Sequence, residues 1–165
     1  MTCLNKETVC RFLDGIGVEY SKTEHSPAFT IEECREVEKI IGGEICKNLL
    51  LTNTPKSVYY LLLMKGDKAF VTKDVSKKLG SSRLSFASGE EMKTLLSTNP
   101  GSLSITSLIF DSEKKIKLAV DSDLLKNEYF CCHPSDNSAT LKIRTDDVFN
   151  KLLKALEVEA QVIEV

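Results

Sequence analysis

The sequence predicts a mixed α/β domain, with helices packed around a mixed β-sheet that is not doubly wound. Three observations predict it. Apolar residues recur at helical spacing in the stretches 5–16, 30–41 and 145–156. The stretches 46–52 and 58–64 are nearly unbroken apolar runs of strand length, the pattern of strands covered on both faces. The strand-like segments fall at irregular intervals, and two are joined by a short turn, unlike the regular alternation of a doubly wound sheet.

Asn5 or Thr8 is placed to cap a first helix carrying Val9, Phe12, Leu13 and Ile16 on one face and ending at Gly15 and Gly17. A strand is expected over 18–23. Thr30 with Glu33 three residues later is a capping-box pair. It opens a helix with Ile31, Cys34, Val37, Ile40 and Ile41, stopped by Gly42-Gly43. The runs 46–52 and 58–64, turned at 53–56, read as a hairpin. Gly66-Asp67 turns the chain into a short extended segment at 69–71. A short helix at 73–79, ended by Gly80, and a strand at 83–86 follow. Ser88 caps a helix through Leu96, with Glu90 and Glu91 at its positive end. After a loop at 99–104 come residues 108–110, a turn at 111–114, a strand at 116–120, a helical turn at 123–125 and the segment 128–132. The chain closes with a strand at 140–143, a helix capped by Thr145 carrying Val148, Leu152, Leu153 and Leu156, and a last strand at 161–165.

With 165 residues the chain suits one domain spanning 1–165, large enough to hide roughly 70% of its surface without staples. A net charge of −2 argues against a protein that coats long nucleic acid. It leaves room for a local basic patch, and Lys65, Lys68, Lys73, Lys77, Lys78 and Arg83 face only Asp67 and Asp74 in their stretch. Cys3, Cys10, Cys34, Cys46, Cys131 and Cys132 contain no Cys-x-x-Cys pair. Reduced thiols in a cytoplasmic protein are expected. No leader is expected over residues 1–10, and no run reaches the ~18–20 apolar residues of a membrane span.

Three clusters carry chemistry. Lys47 interrupts an apolar strand: it either snorkels to water or holds an ammonium at a cleft for a phosphate or carbonyl oxygen. Pro100-Gly101-Ser102 is either a plain turn or a backbone concavity whose amides face an anion or a water. His133-Pro134, with Asn137 and Thr140 behind, forms a third polar group, and His25 lies in the loop before a helix. Cys131 and His133 share strand parity, so a thiol nucleophile stays open, although buried cysteine is usually inert packing. Adjacent Cys131-Cys132-His133 is a poor zinc pattern, and no metal site is expected. The sequence holds no Walker loop, Gly-x-Gly-x-x-Gly, Gly-x-Ser-x-Gly or His-Glu-x-x-His.

Several segments recur together in order. They are residues 25–30 (His-Ser-Pro-Ala-Phe-Thr), 47–51 (Lys-Asn-Leu-Leu-Leu), 59–61, 66–68, 79–80 and 83–88 (Arg-Leu-Ser-Phe-Ala-Ser), followed by 100–104 (Pro-Gly-Ser-Leu-Ser), His133-Pro134 and 137–141. In order and spacing they resemble the ProX/YbaK family of trans-editing aminoacyl-tRNA deacylases, particularly its ProX-like prolyl-tRNA editing branch. The resemblance implies a mixed-sheet fold with surrounding helices, and hydrolysis of mischarged tRNA, typically alanine on proline tRNA. It implies Lys47, Gly101 and Ser102 as the catalytic group, with the lysine holding the 3′-terminal nucleotide or the ester carbonyl and the backbone orienting water. His25, Thr30, Asn48 and Ser85 are implied as substrate-binding, as are His133, Asn137, Ala139 and Thr140 opposite. It implies no metal or cofactor, the acceptor end of tRNA as partner with the 65–83 stretch as its contact, and prolyl-tRNA synthetase as a second candidate partner. Three segments depart from the family pattern: Ser135-Asp136 after the His-Pro, Ser104-Ile105, and the turn Gly43-Glu44-Ile45-Cys46. They keep two other readings open, a non-catalytic module that binds an amino acid or aminoacyl-tRNA, and a deacylase for serine or cysteine.

Overall fold

The computed structural model describes residues 2–165, without the side chains of residues 2–4 and Ile31. The expectations for the Cys3 thiol and for Ile31 on its helix face lie outside the described residues. Helix α1 (Thr2–Gly15) leads into strand β1 (Tyr20–Glu24), and α2 (Ile31–Ile41) into the hairpin of β2 (Lys47–Asn53) and β3 (Tyr59–Met64). Helix α3 (Thr72–Lys78), strand β4 (Leu84–Phe86) and helix α4 (Gly89–Leu96) follow. A 3-10 helix at Ile105–Phe110 precedes β5 (Ile116–Asp121), and another at Ser122–Lys126 precedes β6 (Tyr129–Cys132). Strand β7 (Ala139–Arg144), a helix α5 over residues 145–156 and strand β8 (Ala160–Ile163) complete the chain.

The strands form two sheets. One is antiparallel in the order β1-β7-β6; the other runs β4-β2-β3-β5-β8, antiparallel at its β4-β2-β3 end and parallel through β3-β5-β8. Period-2 alternation sends Leu50, Leu61, Leu63, Leu118 and Val120 into the main core, with Val9 and Leu13 of α1, Leu96 of α4, and Leu141 and Ile143 of β7. Leu51, Leu62 and Ala119 point the other way, onto Val75 and Leu79 at α3. The five-stranded sheet is therefore covered on both faces, which is why its strands read as unbroken apolar runs.

Local signals mark most helix ends. Thr30 and Ser88 each accept from the N3 amide, while Glu33 and Glu91 reach back to the cap backbone. Gly42 closes α2 in the left-handed conformation, at φ 69°. Several expectations need correction. Helix α1 begins at Thr2, so Asn5 and Thr8 lie inside it; the Asn5 amide instead donates to the Ser97 and Ser135 carbonyls. Strand β1 sits two residues later than expected at its start. Thr145 does not cap α5: Arg144 holds that position. The Thr145 amide continues the strand ladder by donating to the Glu128 carbonyl, which turns its hydroxyl inward, buried and unpartnered. Helix α5 itself passes through a π-helical stretch at Val148–Leu152.

Candidate functional site

Lys47 opens β2 opposite Met64, on the strand face shared with Leu49 and Leu51. Its half-buried stem follows the sheet to its end, where the ammonium donates to the backbone carbonyl of Lys68. The side chain borders a cavity of about 580 Å³ between the start of α2 and the 65–67 turn. Phe29 and Thr30 form one wall, Lys65, Gly66 and Asp67 the other, and Arg35 and Glu44 lie at its margin. Lys47 thus reaches a built cleft.

Gly101 adopts φ +90°, a backbone conformation that favours glycine. A Cβ there would lie 3.4 Å from Asn137 Nδ2 and 3.6 Å from the Phe29 ring. Asn137 in turn clasps Ala28 in both directions, accepting from its N–H at 3.3 Å and donating to its carbonyl at 3.0 Å. Of the expected pair of outward amides, that of Ser102 is taken up within the turn. Ser102 is buried and its N–H donates to the Asn99 carbonyl at 3.0 Å, closing the turn on itself. The Gly101 N–H makes no hydrogen bond among the described residues.

His133 is buried at the end of β6. Its Nδ1 donates to the Ala139 carbonyl at 2.8 Å, because a carbonyl only accepts. On the same logic His25 Nδ1 donates to the Ser26 carbonyl, leaving Nε2 to accept from the Thr140 hydroxyl at 2.8 Å. Thr140 therefore sits between the two rings, whose centroids are 6.1 Å apart. Burial, opposed by the Ala139 hydrogen bond, pushes the His133 pKa below its ordinary value. The unfolded chain then binds a proton that the folded chain resists. Stability contributed by neutral His133 is complete above the ordinary histidine pKa of about 6.5 and declines as pH falls below it. Urea unfolding at pH 7.5 and 5.5 should show this loss, reduced in His133→Asn; equal pH dependence in both proteins would refute it.

A lattice of buried hydroxyls fixes this wall. Ser104 Oγ and Thr106 Oγ1 both donate to the His133 carbonyl, at 2.5 and 2.8 Å, and Ser107 Oγ pairs with Ser135 Oγ at 2.6 Å. The Ser135 departure is thus matched by a hydroxyl partner on the 3-10 helix that follows the Gly101 turn. Ser107→Ala strands the Ser135 hydroxyl and should lower unfolding free energy by about 1–3 kcal/mol. The double change Ser107→Ala, Ser135→Ala should recover part of that in a denaturant titration, and strict additivity would contradict the pairing. Asp136 is also buried, with Oδ1 accepting from the Ser138 amide and hydroxyl and Oδ2 unpartnered.

The structure gathers His25, His133, Ala139 and Thr140 into one cluster, Gly101 and Asn137 into a second, and Lys47 and Thr30 into a third. Phe29 lies beside the last two, its ring 3.6 Å from where a Gly101 Cβ would stand while it lines the Lys47 cavity. Its ring is 75% exposed on a backbone held by the Glu33 carboxylate, a placement that no sequence pattern marks. Asn48 turns to the sheet face opposite Lys47 and donates to the Cys46 carbonyl. Ser85 stands apart, exposed on β4 opposite Thr52, roughly 17 Å along β2 from Lys47 at strand rise. Burial pushes the Cys46 thiol up to about 12 and the Cys131 thiol to about 11, so neither offers a thiolate near neutrality. The thiol-nucleophile reading loses its support. Among the described residues, no three His, Cys, Asp or Glu side chains are grouped to hold a metal ion.

Residues 25–151, a span that holds every candidate residue, match the family model described as aminoacyl-tRNA editing domain. The chain is 31% identical over 150 residues to the prolyl-tRNA editing protein ProX of Acetoanaerobium sticklandii, covering 91% of each. It is 30% identical over 139 residues to the prolyl-tRNA synthetase associated domain-containing protein 1 of Mus musculus, covering 82% of each. It also superposes on a solved structure described as a candidate trans-editing enzyme for prolyl tRNA synthetase, with TM-score 0.73 over 98% of this chain and 97% of that one. At 17% identity that likeness shows the fold.

Proposed function

This chain belongs to the aminoacyl-tRNA editing domain family, and on that premise we propose that it is a trans-editing deacylase for mischarged tRNA, with alanine on proline tRNA as its substrate. The reading rests on Phe29, which lines the Lys47 cavity and whose ring stands 3.6 Å from where a Gly101 Cβ would lie, so that the lysine and the glycine turn flank one ring. Lys47 anchors the 3′-terminal nucleotide or the ester carbonyl. The free Gly101 N–H orients the attacking water or the developing oxyanion, and Asn137, beside Gly101, borders the aminoacyl group. Water adds to the ester carbonyl carbon, the bond to the ribose oxygen breaks, and that oxygen takes the proton, releasing amino acid and tRNA. The neighbouring ribose hydroxyl assists the transfer. An aminoacyl ester is already activated, so no strong side-chain base is required and the reaction is read as metal-independent.

A second groove supports the acceptor stem as partner. Lys73, Lys77 and Arg83 line it with Ser76 and Ser81, and none of the three makes an ion pair among the described residues. Such cations suit phosphate contacts. Lys68 does not belong to that set, being engaged by Asp121 and Asp123. The same reading includes residues 1–165 as one deacylase domain, prolyl-tRNA synthetase as a working partner, and a cytoplasmic setting. Incubating purified protein with alanyl-tRNA of proline identity, while following binding and alanine release together, tests it. Release supports the deacylase; binding at saturating protein without release would overturn it in favour of a binding module.

A further inference from the structure

The residue whose carbonyl receives the Lys47 ammonium is itself held, through its side chain, by a buried acid from a distant strand. Asp121 ends β5 and is fully buried. Its carboxylate accepts from the Lys65 amide at 3.2 Å, from the Lys68 ammonium at 3.0 Å and from the Asp123 amide at 3.2 Å. Lys68 makes a second ion pair to Asp123 Oδ2 at 2.7 Å. Lys65 and Lys68 bracket the turn that forms one wall of the Lys47 cavity, and the Lys68 carbonyl receives the Lys47 ammonium. A buried carboxylate is stable only when its oxygens are occupied. The turn is therefore bolted to β5 at both ends.

Resting on the deacylase reading, we propose that Asp121 and Lys68 are positioning residues that aim Lys47 into the cleft. One of the three ammonium hydrogens is committed to the Lys68 carbonyl, leaving two to face substrate. The direction of those two follows from where that carbonyl stands. Neither residue touches the substrate; the clasp sets the lysine, and the lysine meets the ester end.

Lys68→Met breaks the clasp at its partly exposed partner, so it folds where Asp121→Asn risks unfolding the strand end. Alanine release should fall about tenfold in kcat/KM in Lys68→Met, and Lys68→Arg should recover most of it. In a Lys47→Met background the Lys68→Met change should have no further effect. Equal losses in the two backgrounds would mark Lys68 as merely structural and overturn the proposal. A second readout needs no substrate: the Lys47 ammonium, hydrogen-bonded to a carbonyl, should give a proton–nitrogen NMR signal that vanishes in Lys68→Met. Persistence of that signal unchanged would also overturn the proposal. Absence of release by the wild type would overturn the deacylase reading, and the NMR arm would still decide the clasp.

Discussion

Lys47→Met should lower kcat/KM for alanine release by about 10²–10³-fold while leaving the melting transition nearly in place. The methionine keeps the stem that packs along the Leu49 and Leu51 face of β2 and removes only the charge. Since the ammonium has one hydrogen-bond partner among the described residues, the Lys68 carbonyl, its loss should change stability by about 1 kcal/mol or less. In a water-poor cleft, an ammonium aimed at developing negative charge has the effect of an oxyanion-hole donor, and removing one such donor typically costs 10²–10³ in rate. Lys47→Arg should restore little, because a planar fork cannot reproduce the point contact to one carbonyl. Full activity in a folded Lys47→Met protein would remove the residue from the reaction.

The second large effect is expected at Gly101. Its φ of +90° is hard for any residue with a Cβ, costing about 1–3 kcal/mol. The added methyl would meet Asn137 Nδ2 at 3.4 Å and the Phe29 ring at 3.6 and 3.7 Å. These contacts are close without being a gross clash, so Gly101→Ala should fold. The turn relaxes instead by changing the direction of its free N–H. With the donor acting on the transition state, as proposed, alanine release should then drop about 10–100-fold in kcat with KM little changed. A loss confined to KM would mean that the turn binds substrate without acting on the chemistry.

Features written in adjacent residues were legible in the sequence. The Thr30/Glu33 box, the Ser88 cap and the Gly42 stop need only a few positions to declare themselves, and the β2-β3 hairpin needs a short turn. The parallel pairing of β3 with β5 and the antiparallel pairing of β1 with β7 are long-range choices that no local pattern encodes. Thr145 shows the same competition at one residue: a good capping type lost its role because its amide was needed by the strand ladder. At the site, Lys47, Gly101 and His133 stood out as chemical types in unusual places. The Ser102 amide was misjudged because the turn closes on Asn99. The Asp121 clasp spans 53 residues to Lys68 and had no sequence signature at all.

The central claim is hydrolysis of an aminoacyl ester on tRNA. Its most direct measurement is single-turnover release from alanyl-, seryl- and cysteinyl-tRNA of proline identity by the purified wild-type chain, set against spontaneous hydrolysis. Release well above the spontaneous rate is expected, with alanine fastest. Release at the spontaneous rate from all three esters would contradict it.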